Sequence, residues 1–487
     1  MRHTWIYGLC LLLAACQSNI QVTEQSDIVS PMEREYADMV IPCNIAPLNF
    51  FLGIDDCEAI ILIYGNHRVT ALCDKGAAIP DVDEWKKLLS VAKGERVQVL
   101  HCLKTEQGWK AYRPFYIRVS ADTIDPYLVY RLIPPGYEIW NEMGIYQRNL
   151  ETFEEKPLLT NKQTGMNCMN CHSFCNYEPD KMMLHLRANH AGTLLINGDS
   201  KTKLDTRTEQ TIAPLVYPYW HPGGKYIAYS VNDTKQLFHT NHQNRIEVMD
   251  LASDVVVYDV EKNRLLTTPP LFSEERFETF PAFSPDGSKL YFCTAARMSM
   301  PDEYNKVRYS LCSIEFNEAK GTFGQTVDTL FQADVQGKSA SFPRVSPDGR
   351  FLMMTLSEYG NFSIWHQEAD LWMIDLISGE LKYPDALNSS SVESYHCWSS
   401  NSRWVVFSSR RGDGLYTRPY ISYVDAEGTT HKPFVLPQQQ GDYYQRSLYS
   451  YNIPEFVKDK VKVSGQQLAE EAIKKEALKV GPLLTTP

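Results

Sequence analysis

The chain has 487 residues, and its 48 Lys plus Arg against 59 Asp plus Glu leave a formal net charge of −11. That acidic balance, with no basic run in it, argues against nucleic acid as a partner. Hydrophobic residues make up 43% of the chain, enough at this length for two or three domains with full cores.

Met1-Arg2-His3 is a short basic start, and Trp5 to Ala15 is an apolar run of signal-peptide length, too short to span a bilayer. It ends in Leu13-Ala14-Ala15-Cys16, which resembles a bacterial lipoprotein box. The resemblance implies that residues 1–16 are a signal and that Cys16 becomes the lipidated first residue. With Gln17 and Ser18 following rather than Asp, it also implies the outer membrane, facing the periplasm. An ordinary secretory signal with a chance cysteine is the alternative. No later segment is apolar enough for a transmembrane helix, so the membrane is met through the lipid anchor alone.

Residues 17–40 are polar and aperiodic, as a tether would be. Residues 41–121 read as a β-sandwich-like domain: Glu58–Tyr64, Arg96–Leu100 and Tyr116–Val119 are strand-like runs between turn residues. One short helix begins at Asp81, where Glu84 completes a capping box. Cys43, Cys57, Cys73 and Cys102 fall together and either pair in disulfides or stay as buried thiols. His67 and His101 read as surface or packing residues.

Residues 122–180 form a connector in which Pro126, Pro134 and Pro135 preclude a long helix. The connector leads into Cys168-Met169-Asn170-Cys171-His172, the C-x-x-C-H attachment pattern of a c-type haem. Two thiols at this spacing reach the two vinyl groups of one porphyrin, and the next residue lies under the iron. The motif predicts one covalent haem c, with Cys168 and Cys171 as thioethers and His172 as the proximal iron ligand. Structural zinc is the rival, because Cys175 extends the run, although no second cysteine pair completes a four-ligand site. Bacteria attach covalent haem outside the cytoplasm, so the leader and the motif agree. Trp140 or Tyr137 is expected against a porphyrin face or, as the alternative, in the core.

Lys181–Arg187 reads as the first propeller strand, with Met183, His185 and Arg187 on one face. His185 is the candidate distal iron ligand and Met183 the second candidate, with Arg187 paired to a haem propionate. His190, His221, His239, His242, His366 and His396 read as turn or rim residues.

From here the chain repeats a strand, a tight turn and a second strand. Phe280-Pro281-Ala282-Phe283-Ser284-Pro285-Asp286-Gly287 and Phe342-Pro343-Arg344-Val345-Ser346-Pro347-Asp348-Gly349 are the clearest copies. Leu186–Leu195, Tyr219–Ala228 and Cys397–Val406 follow the same plan. Four strands per repeat predict a propeller over residues 181–445, and roughly 43 residues per blade gives six blades. The repeat resembles the WD40-like repeat of TolB-type propellers. The whole arrangement resembles a group of Bacteroidota lipoproteins often labelled TolB-like or cytochrome c biosynthesis proteins. Residues 446–487 form a tail, with Leu468, Ala472, Ile473 and Ala477 at helical spacing.

The expected fold is therefore mainly β: a β-sandwich-like domain, a short haem segment, a six-bladed TolB-like propeller and a C-terminal helix. The expected function is that of an exported, lipid-anchored c-type cytochrome, passing electrons to a redox partner protein or to an envelope protein docked on the propeller. The alternative is a non-redox, TolB-like scaffold that binds envelope proteins or a ligand. No Ser-His-Asp order and no H-E-x-x-H motif speak for an enzyme.

Overall fold

The computed structural model describes residues 20–53, 57–134 and 142–486. The leader, Cys16, Tyr137 and Trp140 lie outside the described residues.

Six four-stranded sheets, two of them extended by a fifth strand, form the blades of one propeller. Blade 2 runs from its inner strand Met169–Phe174 outward through Lys181–Leu186, Gly192–Asn197 and Ser200–Asp205. Blades 3 to 6 repeat this inside-to-outside order, with inner strands Leu215–Trp220, Arg276–Phe283, Ser339–Val345 and Glu393–Trp398. Blade 1 is composite. Tyr127–Ile133, Gly144–Asn149 and Glu155–Thr160 supply three strands, and Ser450–Val457 returns from the far end of the chain as the innermost. That strand pairs antiparallel with Tyr127–Ile133 and closes the ring by hydrogen bonds.

The repeated turn holds the first two strands of a blade together. In blade 4, Ser284 Oγ donates to Asp286 Oδ1 at 2.5 Å and accepts from the Lys289 N–H at 2.9 Å, while Gly287 takes φ 74°. Ser346 with Asp348 and Ser399 with Asn401 repeat the device in blades 5 and 6. The serine thus pins the turn from inside, and the left-handed residue is Gly287 or Gly349 in blades 4 and 5 and Ser402, at φ 62°, in blade 6.

The propeller begins well before Lys181, because the connector is blade 1 and the motif segment is the inner strand of blade 2. Leu186–Leu195, read as a first turn copy, joins the second and third strands of blade 2. The true counterpart is the turn from Cys175 to Asp180 between its first two strands. Alternating apolar residues could not show this register, since the second strand of blade 2 buries both faces over Met182–Leu186.

The N-terminal domain is one nine-stranded sheet with the helix Val82–Val91 against it, capped at Asp81 as expected. Its core is continuous with blades 1 and 6: Trp85 and Phe50 belong to the same buried cluster as Trp404, Val406, Tyr451 and Phe456. Residues 20–40 are no free tether, since Ile20, Met32, Tyr36 and Met39 are buried. Cys43, Cys57 and Cys102 are free thiols, so no disulfide pairs the N-terminal four.

The tail docks. Helix Gly465–Lys474, with a Ser464–Gln467 capping box, buries Leu468, Ala469 and Ala472. Leu478–Lys479 and Leu483–Thr485 then add in parallel to the outer strands of blades 2 and 3. Among the described residues no helix is long and apolar enough to cross a membrane.

Phe456 is fully buried in the ring-closing strand, whereas Phe238 is 60% exposed at the end of a long hairpin in blade 3. Phe456→Ala is expected to cost about 3–5 kcal/mol, and Phe238→Ala less than about 0.5 kcal/mol. Urea unfolding midpoints at constant slope measure both.

Candidate functional site

Each inner strand carries one residue too many. In blades 3, 4, 5, 6 and 1 the ladder shifts at Tyr217, Phe280, Phe342, Tyr395 and Ile453, each with a φ between 49° and 53°. This left-handed conformation is costly for aromatic and β-branched residues, on the order of 1–3 kcal/mol each. It persists because the bulge turns these side chains to the propeller axis, where they meet. Ring centroids lie 4.7 Å apart for Tyr217–Phe280, 4.1 Å for Phe280–Phe342 and 4.9 Å for Phe342–Tyr395. The rings form a floor across the channel.

Three residues follow each bulge in the same roles. Tyr217-Pro218-Tyr219-Trp220, Phe280-Pro281-Ala282-Phe283, Phe342-Pro343-Arg344-Val345, Tyr395-His396-Cys397-Trp398 and Ile453-Pro454-Glu455-Phe456 align. In blade 2 the ladder shifts between Asn170 and His172, so Cys171-His172-Ser173-Phe174 is the sixth copy. The backbone of Cys171 holds the bulge position, and His172 stands where four other blades have proline.

Above the floor, toward the Ser-Pro-Asp-Gly turns, lies a cavity of about 190 Å³. The third residues of the tetrads, among them Tyr219, Arg344 and Glu455, line its wall together with His172 and His396. The His172 side chain is fully buried, and neither ring nitrogen completes a hydrogen bond of normal geometry. Its Nε2 lies 3.9 Å from Glu455 Oε2. Burial, and then the Arg131 guanidinium, pull His172 down to about 3, with the Val129 carbonyl working weakly the other way. Burial pushes Glu455 up to about 8, against the Phe174 N–H that donates to its Oε1 at 2.9 Å and the charge of Arg344. The two face each other uncharged at neutral pH.

His396 Nε2 faces the Met353 carbonyl oxygen at 2.9 Å, and burial, then Arg344, bring it down to about 3. Cys397 is pushed up to about 12, mainly by burial. Arg344 remains as the charge. Its guanidinium lies 4.8 Å from the Tyr219 ring centroid, Nη1 donates to the Pro343 carbonyl at 2.8 Å, and among the described residues no carboxylate lies within 4.0 Å of it.

This conformation does not suit a c-type haem. Cys168 accepts the Arg187 N–H while His172 pairs with Leu184, three rungs further along the ladder. Their α-carbons are thus ~10 Å apart, whereas a helical turn would bring such a pair within ~6 Å. Cys168 packs into the core between blades 1 and 2, and the His172 ring is closed in beside Phe174, at 6.2 Å between centroids, and Glu455. His185 and Met183 flank Leu184 in the strand and therefore face the side of the sheet opposite His172. His185 Nδ1 is 3.0 Å from Thr193 Oγ1, and Arg187 is exposed. In this conformation the candidate distal ligands and Arg187 therefore do not share a side of the sheet with His172. The zinc alternative fares no better: Cys175 Sγ donates to the His221 carbonyl at 3.7 Å, and among the described residues no three His, Cys, Asp or Glu side chains are grouped to hold a metal ion.

Sequence reading missed Tyr219, Arg344, His396 and Glu455 as site residues. The signal was present in the pair that opens each tetrad, where Tyr395-His396 and Ile453-Pro454 match Phe-Pro.

The molecule is thus a six-bladed β-propeller with a polar-walled cavity over an aromatic floor. No protein-family model matches the chain, and no curated protein does. Among solved structures, a Mycobacterium tuberculosis puromycin-hydrolysing peptidase is 10% identical at a TM-score of 0.34, over 86% of this chain and 56% of its own. A Galerina marginata prolyl oligopeptidase B is 10% identical at 0.35, over 70% and 43%. A Pseudomonas aeruginosa periplasmic gluconolactonase is 15% identical at 0.33, over 64% and 97%. The chain spans about half the length of the two peptidases. At such scores none of these likenesses carries an argument, and the architecture rests on the strand pairing itself.

Two predictions follow from the buried histidines. His172, His185 and His396 all lie near 3 in the folded chain and near 6.5 when unfolded. The unfolded chain binds more protons between those values, so stability is full above about 6.5 and falls as pH drops toward 3. The unfolding temperature is expected to decline across that window, and His396→Gln to make the decline shallower by one proton. Separately, protein from a host that matures cytochromes is expected to show no Soret band. Haem retained through acid–acetone extraction would contradict the geometry.

Proposed function

We propose that the protein is a small-molecule-binding propeller, a non-redox scaffold whose ligand sits in the cavity between the aromatic floor and the turn face. The observation that carries this reading is the cavity itself. It is concave and apolar beneath, and a few polar groups converge on it: Arg344, His172, His396 and Glu455. Ligand pockets have this composition. At about 190 Å³ it is smaller than the ~300–1,000 Å³ of pockets for drug-sized molecules, so the ligand is of metabolite-fragment size. The likeness of the repeat to TolB-type propellers supports a binding scaffold, and the lipoprotein-like leader supports the cell envelope as its compartment. The electron-transfer reading is set aside because it requires the haem.

Trp220 and Trp398 border the cavity and report on it by fluorescence. A library of small fragments is expected to yield compounds that shift this emission and raise the unfolding temperature. Ser173, also on the wall, is 7% exposed. Ser173→Trp, which fills the cavity, is expected to abolish the effect while unfolding cooperatively; Cys397→Leu serves if that variant fails to fold. Fragments that act equally on wild type and on the filled variants would refute the site.

A further inference from the structure

We infer that the cavity selects a small organic monoanion, a carboxylate on an apolar body, held by the Arg344 guanidinium above Tyr219 and by a donor from the facing Glu455. This rests on the ligand-binding reading and names the class of ligand.

Charge comes first. Arg344 lines the cavity half-buried, and its nearest polar partner is the Pro343 carbonyl, a neutral group. An arginine held this way beside an aromatic ring on a cavity wall suits a bidentate carboxylate. Facing it from the other elements are Glu455 of blade 1, His172 of blade 2, Tyr177 of the next turn, Tyr219 of blade 3, and His396 and Cys397 of blade 6. Burial keeps the two histidines unprotonated, Tyr177, Tyr219 and Cys397 protonated, and Glu455 protonated up to about 8. The cavity wall therefore carries one positive charge at neutral pH. A single charge matches a carboxylate better than a phosphate dianion.

The second observation is independent of Arg344. Glu455 is the one carboxyl on the cavity wall, and the Phe174 N–H engages only its Oε1; the His172 ring, with none of its side chain exposed, closes in behind it 3.9 Å from Oε2. A protonated Glu455 has one O–H to donate from the oxygen that Phe174 leaves open. One neutral donor opposite one guanidinium forms a cradle for two carboxylate oxygens. The floor of Phe280, Phe342 and Tyr395 receives the apolar part.

The test uses matched pairs. Benzoate, phenylacetate and 4-methylpentanoate, each with its primary amide, are titrated against the full chain by tryptophan emission and calorimetry, with inorganic phosphate as a further probe. At least one acid is expected to bind tenfold or more tightly than its amide, and phosphate to bind more weakly than that acid. Arg344→Gln should erase the preference, and Arg344→Lys should restore part of it. Acid affinity should fall tenfold or more as pH rises through about 8, because Glu455 then places a negative charge beside the ligand; Glu455→Gln should remove this dependence. Equal binding of acid and amide would overturn the inference yet leave the binding reading intact. Phosphate binding best would overturn the organic carboxylate. No binding by any acid, while neutral fragments occupy the cavity, would also sink it. Failure of every fragment in the wider screen would instead remove the reading on which it stands.

Discussion

The extra residue in each inner strand governs both the packing and the chemistry of this propeller. Without the bulge, a strand would alternate its side chains between the two neighbouring blades, and the axis would be lined by backbone. With it, one side chain in each of blades 1 and 3 to 6 swings to the axis, the third residue of the tetrad faces the cavity in every blade but the fourth, and the last returns to the core between blades. Aromatic rings offset the strain of their left-handed backbone by packing on one another across blades. The wall residues are then free to vary. Ser173, Tyr219, Ala282, Arg344, Cys397 and Glu455 share one structural place and almost no chemistry.

Ring closure is what makes that variation useful. Glu455 belongs to the strand returning from the far end of the chain, His172 to blade 2 and Arg344 to blade 5. They share one cavity because blade 1 is built from both ends. On the opposite face, the long hairpin of blade 3 ties neighbouring blades through Asp250 to Tyr309 at 2.8 Å and Glu247 to Tyr359 at 2.7 Å. The cavity walls are thus held by elements distant in sequence.

The mainly-β class, the six blades and the C-terminal helix were legible because turn chemistry is local: Ser-Pro-Asp-Gly joins the first two strands of blades 4 and 5, and variants of it do so in blades 3 and 6. Blade 1 was hidden because its turn is replaced by a chain break, and nothing local links Tyr127–Ile133 to Ser450–Val457. The segment Cys168–His172 belongs to two patterns at once. Its spacing suits a haem on a compact turn, but Cys171-His172-Ser173-Phe174 obeys the inner-strand pattern, in which His172 takes the place of proline. The site residues Arg344 and Glu455 were illegible, since no spacing rule joins them until the ring is formed.

The composite blade also dictates an order of events. A chain emerging N-terminus first, from a ribosome or a translocation pore, exposes Leu128, Tyr130 and Leu132 long before the strand that covers them is made. For that interval the inner edge of blade 1 is an open template for β-pairing, and blades 2 to 6 form beside a gap. The N-terminal sheet, whose core includes Tyr451 and Phe456, waits for the same strand. Closure of the ring is therefore tied to the synthesis of Ser450–Val457, and a holdase that shields this edge would act in that window.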